Sequence, residues 1–74
     1  MTPTALSATR RVLGLTIADA ARFAGVERRT WDRWENGERA ISLPVVALVT
    51  LWRDLPGALE YSRANRVADN KEDV

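Results

Sequence analysis

The stretch LTIADAARFAGVERRTWDRWENG, residues 15 to 37, decides how this chain is read. Its last third, TWDRWENG (30 to 37), sets two tryptophans three apart beside Arg28, Arg29, Asp32 and Arg33. Large rings among charges admit two readings, an exposed stacking surface or an inward anchor with the charges turned out. Periodicity separates them. At about 100° per residue, Arg28, Asp32, Asn36, Arg29 and Arg33 fall within an arc of about 140°. Trp31 and Trp34 lie on the opposite side, with Thr30 flanking. The spacing therefore predicts a helix with its indoles inward, holding an arginine-bearing face rigidly outward.

Working outward, short helices and tight turns account for nearly the whole chain. Thr16 reads as an N-cap with Asp19 three residues on, close to a capping box, opening a helix over about 17–24. That helix is built on small residues (Ala18, Ala20, Ala21, Ala24), which let another helix approach closely, and it stops at Gly25. Val26 begins a turn, and the third helix runs from about Glu27 to Asn36, with Gly37 as its stop. A first helix over about 4–13 ends at Gly14. Ser42 caps a fourth, with Pro44 in its first turn, where the missing N–H is harmless. Asp54 and Pro56 mark the start of a fifth, running to about Arg66. The expected fold is all-α, a compact five-helix domain over residues 1–66, and the polar residues 67–74 are expected to fray. No strand pattern and no repeat is visible.

Composition narrows the function. The 74 residues include no cysteine and no histidine, so neither a disulfide framework nor the usual zinc ligand sets can form. The reducing cytosol fits that composition, and a cytoplasmic location is expected. The apolar run 43–52 is shorter than the roughly 20 residues a bilayer span needs, and no secretory signal pattern opens the chain. Without histidine, cysteine or paired carboxylates, no catalytic residue stands out, and an enzyme is the weakest class. Nothing suggests a cofactor, a metal or a small-molecule ligand. Net charge is +1, and ten of the eleven basic residues are arginine, the side chain that forks onto phosphates and guanine edges. Residues 1–53 carry a net +3 and residues 54–74 a net −2, so the basic character lies with the first four helices.

The run LTIADAARFAGVERRTWDRWENGERAISLP, residues 15 to 44, resembles the helix-turn-helix of the lambda-repressor-like (Xre/Cro) family. The likeness rests on Thr16, Ala21, Gly25, Val26 and Glu35-Asn36-Gly37, and extends without gaps from residue 10 to about 53. It implies a lambda-repressor-like fold whose third helix enters the major groove of double-stranded DNA. It also implies a partly buried salt bridge between Arg10 and Glu35, which makes Glu35 structural. Two departures stand out. Ile17 replaces the glutamine that often reaches a phosphate, and Glu27 replaces the usual serine or threonine. Phosphates would repel Glu27 unless it accepts a hydrogen bond from a cytosine amino group. The narrower pattern Trp-x-x-Trp-Glu-x-Gly is similar to the anti-CRISPR-associated repressors of phages and mobile elements, which bind inverted repeats in an operon promoter.

Under this resemblance Arg28, Arg29 and Arg33 read base edges, with Glu27 and Asp32 on the same reading surface. Thr16, Asn36 and Arg39 hold phosphates, fixing register without reading sequence. A palindromic operator would be bound by a homodimer, with Trp52, Leu55 and Leu59 as the expected dimer contact. These three could instead close the core of a single copy. The outward arginines likewise have a plainer reading, a solvated face with Asp32 paired to Arg28. The alternative function is a protein-interaction module or antitoxin-type regulator, for which the acidic tail after Val67 would be the supporting feature.

Overall fold

Three of the five helices begin where a short polar side chain can take up a free amide. Thr2 accepts from the Ala5 N–H at 3.0 Å, Thr16 from Asp19 at 3.0 Å and Ser42 from Val45 at 3.4 Å. The resulting elements are α1 (Pro3–Val12), α2 (Ile17–Ala24), α3 (Arg28–Glu35), α4 (Leu43–Asp54) and α5 (Ala58–Ala64). The structure, a computed structural model, describes residues 1–65, and no strand occurs among them. The tail 67–74, expected to fray, lies outside the described residues.

Both turns that frame α3 are closed by glycine. Gly25 and Gly37 each sit at φ 76, and at each the backbone is bonded in the same way. After α3, the Gly37 N–H donates to the Trp34 carbonyl at 3.2 Å and the Glu38 N–H to Arg33 at 2.9 Å. After α2, Gly25 bonds to Arg22 at 3.1 Å and Val26 to Ala21 at 2.9 Å. These are paired C-terminal closures that need a left-handed residue, where any Cβ is strained.

The core is centred on Trp31, which is 1% exposed. Its ring lies 5.7 Å from that of Trp34 at 57° and stacks on Trp52 at 6.5 Å and 15°. Ala20 and Ala21 are buried, and α2 packs on α3. The indole N–H of Trp52 donates to the Ser62 hydroxyl at 2.8 Å, satisfying both groups in the interior and drawing α5 onto α4. The Arg63 guanidinium sits 5.2 Å from the Phe23 ring centroid and joins α5 to α2.

Three expectations change. Asp54 and Pro56 do not open the fifth helix. Asp54 ends α4, its carboxylate held by Arg53 at 2.8 and 2.9 Å, and proline forces Leu55 into extended backbone (φ −110, ψ 112). Asp19 does not complete a capping box, because its carboxylate pairs with Arg22 at 2.8 Å. Trp52 is not at the surface as a dimer contact requires. It is 4% exposed, filling the space between α3 and α5. Leu59 is half-buried against the core, and of the three residues Leu55 alone is exposed, at 54%.

Candidate nucleic-acid interface

The inner face of α3 is fixed from two directions. Its indoles enter the core, and its last residue, Glu35, is gripped by α1. Arg10 Nε donates to Glu35 Oε2 at 2.7 Å and Nη2 to Oε1 at 3.1 Å, a two-pronged contact with side chains 11% and 8% exposed. Trp31 Nε1 donates to the same carboxylate at 2.6 Å. The third prong of Arg10 reaches the Leu15 carbonyl at 2.9 Å, so one side chain ties α1, the turn into α2 and α3 together. Burial pushes the Glu35 carboxyl up, but bonds from Arg10, Trp31 and Ser7 and the charge of Arg10 outweigh it. The group is held below the usual carboxylate range. The guanidinium of Arg10 is correspondingly raised by its bond to Glu35, against the opposing effect of burial.

The outer face is open. Arg28, Arg29, Asp32 and Asn36 are exposed and Arg33 is half-buried. Arg28, Arg29 and Asp32 together line one shallow hollow on this face. Among the described residues the ion pairs are Arg10–Glu35, Arg22–Asp19, Arg53–Asp54 and Arg63–Glu60. The expected alternative pairing of Asp32 with Arg28 does not form. Instead Asp32 accepts a long bond of 3.4 Å from Asn36 Nδ2. Glu27 stands at the N-cap of α3, exposed, its side chain accepting no capping hydrogen bond from the helix.

Around this face, Thr16 is exposed but committed to its cap, and Arg39 is exposed just past α3. Ile17 is half-buried against the core, so the first turn of α2 offers backbone amides rather than a polar side chain at that position. Two features escaped the sequence reading. The bond from Trp31 to Glu35 was signalled by their i,i+4 spacing. An apolar hollow of ≈ 520 Å³ between α4 and α5, lined by Leu48, Leu51, Leu55, Pro56 and Tyr61, was signalled by leucines at i, i+3 and i+7.

A helix stopped by a left-handed glycine, a tight turn, and a second helix anchored by its aromatic face define a helix-turn-helix protein. The sequence model of the Aca2/YdiL-like family matches residues 1–55, and the chain belongs to that family of anti-CRISPR-associated helix-turn-helix regulators. It is a regulatory family, not an enzyme family. The match ends in the turn before α5. No curated protein and no solved structure gives a significant match to the chain. Among the described residues, no helix is long and apolar enough to cross a membrane.

Proposed function

We propose that this protein is a sequence-specific transcriptional repressor that binds an inverted-repeat promoter site on double-stranded DNA as a homodimer. The operon it silences carries an anti-CRISPR gene. The observation that carries this reading is the division of α3. Its indoles are 1% and 4% exposed, while Arg28 and Arg29 are exposed and unpaired among the described residues. On a rigid helix only side-chain freedom is left to lose when such arginines fork onto guanine edges or phosphates, and no intramolecular ion pair has to break first. Arg28, Arg29 and Arg33 read bases, with Glu27 and Asp32 beside them. Asn36 and Arg39 hold phosphates, and Thr16 contributes from the start of α2 with its hydroxyl hydrogen, which the cap, an accepted bond, does not use.

Self-association runs through the α4–α5 hollow rather than through Trp52. Leu51, Leu55 and Tyr61 are 47%, 54% and 71% exposed and gather on this one surface. A twofold contact needs a self-complementary patch, and an apolar one on a single monomer supplies it. The patch is small against the roughly 800 Å² per partner of a stable interface, so pairing is completed on DNA.

Selecting bound fragments from a random DNA pool tests the reading. The expected product is an inverted repeat whose half-site centres lie about 34 Å apart, one turn of the double helix. If no sequence is enriched and no fragment is retained at low salt, DNA recognition is overturned. The protein-interaction alternative then stands.

A further inference from the structure

The hollow formed by Arg28, Arg29 and Asp32 has a chemistry of its own, and it deepens the DNA-binding reading on which it rests. Asp32 lies three and four residues after the two arginines, the spacing at which helical ion pairs close. Elsewhere in the chain such pairs close when the carboxylate precedes the arginine by three residues, with Asp19–Arg22 at 2.8 Å and Glu60–Arg63 at 3.0 Å. Here the carboxylate follows the arginines, the less favourable order on a helix; no ion pair closes, and Asp32 keeps only the 3.4 Å contact from Asn36. Donor forks and an acceptor-only group stand side by side, exposed and uncommitted to each other.

From residue 28 to residue 32 a helix rises about 6 Å, and successive base pairs rise about 3.4 Å. The arginines and the carboxylate thus meet base pairs one or two steps apart. An arginine matches the two acceptors of guanine, O6 and N7, whereas a carboxylate can only accept, as from the cytosine N4 amino group. Thymine offers Asp32 an acceptor and a methyl group, and a phosphate offers it repulsion. We propose that Asp32 is a specificity-determining residue. It selects an amino-bearing base, cytosine first, one or two pairs from a guanine held by Arg28 or Arg29. The half-site is therefore built around a G·C-rich core. The same carboxylate weakens attachment to unrelated DNA, which trades affinity for discrimination.

The test compares pool selection with the wild type, Asp32→Ala and Asp32→Asn, all checked for unchanged melting, since Asp32 is exposed. The wild type should enrich a guanine and an amino-bearing base within two positions. Asp32→Ala should lose preference at that one position and bind scrambled DNA more tightly. Asp32→Asn should move the preference to adenine, whose N6 and N7 match an amide. Replacing the selected guanine by 7-deazaguanine, which lacks one of the arginine's acceptors, should weaken wild-type binding roughly 5- to 150-fold. DNA binding with an unchanged motif in both Asp32 variants would overturn this inference and leave the proposed function standing. Selection of an A·T-only half-site would do the same. If the wild type selects no DNA at all, both fall together.

Discussion

Removing the carboxylate of Glu35 should destabilise this domain more than any change on the outer face of α3. Glu35→Ala deletes the acceptor for two prongs of Arg10, at 2.7 and 3.1 Å, and for the Trp31 indole at 2.6 Å. Arg10, 11% exposed at the side chain, is left as a near-buried cation with one partner, the Leu15 carbonyl. Breaking a buried pair from one side costs about 3–5 kcal/mol, because an uncompensated charge remains. A domain of this size is stable by only about 3–10 kcal/mol, so the variant loses roughly a third or more of its stability. At about 4–8 °C per kcal/mol, the melting temperature should fall by roughly 12–40 °C. Urea melts followed by tryptophan emission measure this, because Trp31 and Trp52 leave their stack on unfolding. Arg10→Ala should behave alike. The double change Arg10→Met with Glu35→Leu should recover much of the loss, since apolar replacement of a whole buried pair is often neutral or better. A loss below about 1 kcal/mol in either single variant would refute the view that this pair clamps α3.

The same pair carries a pH signature. The Glu35 carboxyl is depressed in the folded protein, so the unfolded chain binds its proton more readily. Its contribution is fully present above the unfolded value of about 4.3 and is lost as pH falls through the lower folded value. Stability of the wild type minus that of Glu35→Gln, measured from pH 7 downward, should be flat to about pH 4.5 and shrink below it. A difference that stayed constant to pH 2 would mean that Glu35 is not held ionised by its partners.

Four further outcomes are expected. Gly37→Ala should lower stability by about 1–2 kcal/mol through backbone strain alone, since an added Cβ would meet nothing nearer than Pro3 Cγ at 3.8 Å; an unmoved urea midpoint would contradict it. Arg29→Ala should weaken cognate DNA by about 1–3 kcal/mol and scrambled DNA little. Arg39→Ala should instead weaken all DNA alike and reduce the salt slope by about one; binding curves on two DNAs at several salt concentrations decide, and equal losses for Arg29→Ala on both would remove its base-reading role. Leu55→Asp should leave the melting temperature nearly unchanged, because Leu55 is 54% exposed, yet abolish cooperative occupation of an inverted repeat; undiminished cooperativity would place self-association elsewhere.

What could be read without coordinates follows a physical division. Trp31 and Trp34 among five charged neighbours leave one workable orientation for α3, so periodicity alone found both its inner and its outer face. Gly25 and Gly37 marked its limits because no other common residue closes a helix there without strain. The segment after Arg53 was less legible. Asp54-Leu55-Pro56 fits a helix start as well as a helix end, and what decides is that Arg53 engages Asp54 while Leu55 N–H still bonds to Leu51 at 2.8 Å. Trp52 was misplaced for a related reason. An apolar stripe shows which face is inward, but not how deep the core runs, and that depth was set by Trp31 across the interface and Ser62 ten residues on.

The interface itself depends on the same division. Eight residues are too few to form a stable helix in water by themselves, where about 12–15 are needed, so α3 cannot aim its own arginines. The strong contacts of α3 lie on its inner face, from the indole stack to the Arg10–Glu35 pair, and its outer side chains have no comparable intramolecular bond among the described residues. Orientation is thereby supplied from one side of the helix, and the other side is left free for the recognition proposed above. The outer residues can then change at little cost in stability, whereas the inner ones cannot change without losing the fold. Binding and stability should therefore separate cleanly by helix face, and a substitution at Arg29 and one at Glu35 are informative for opposite reasons.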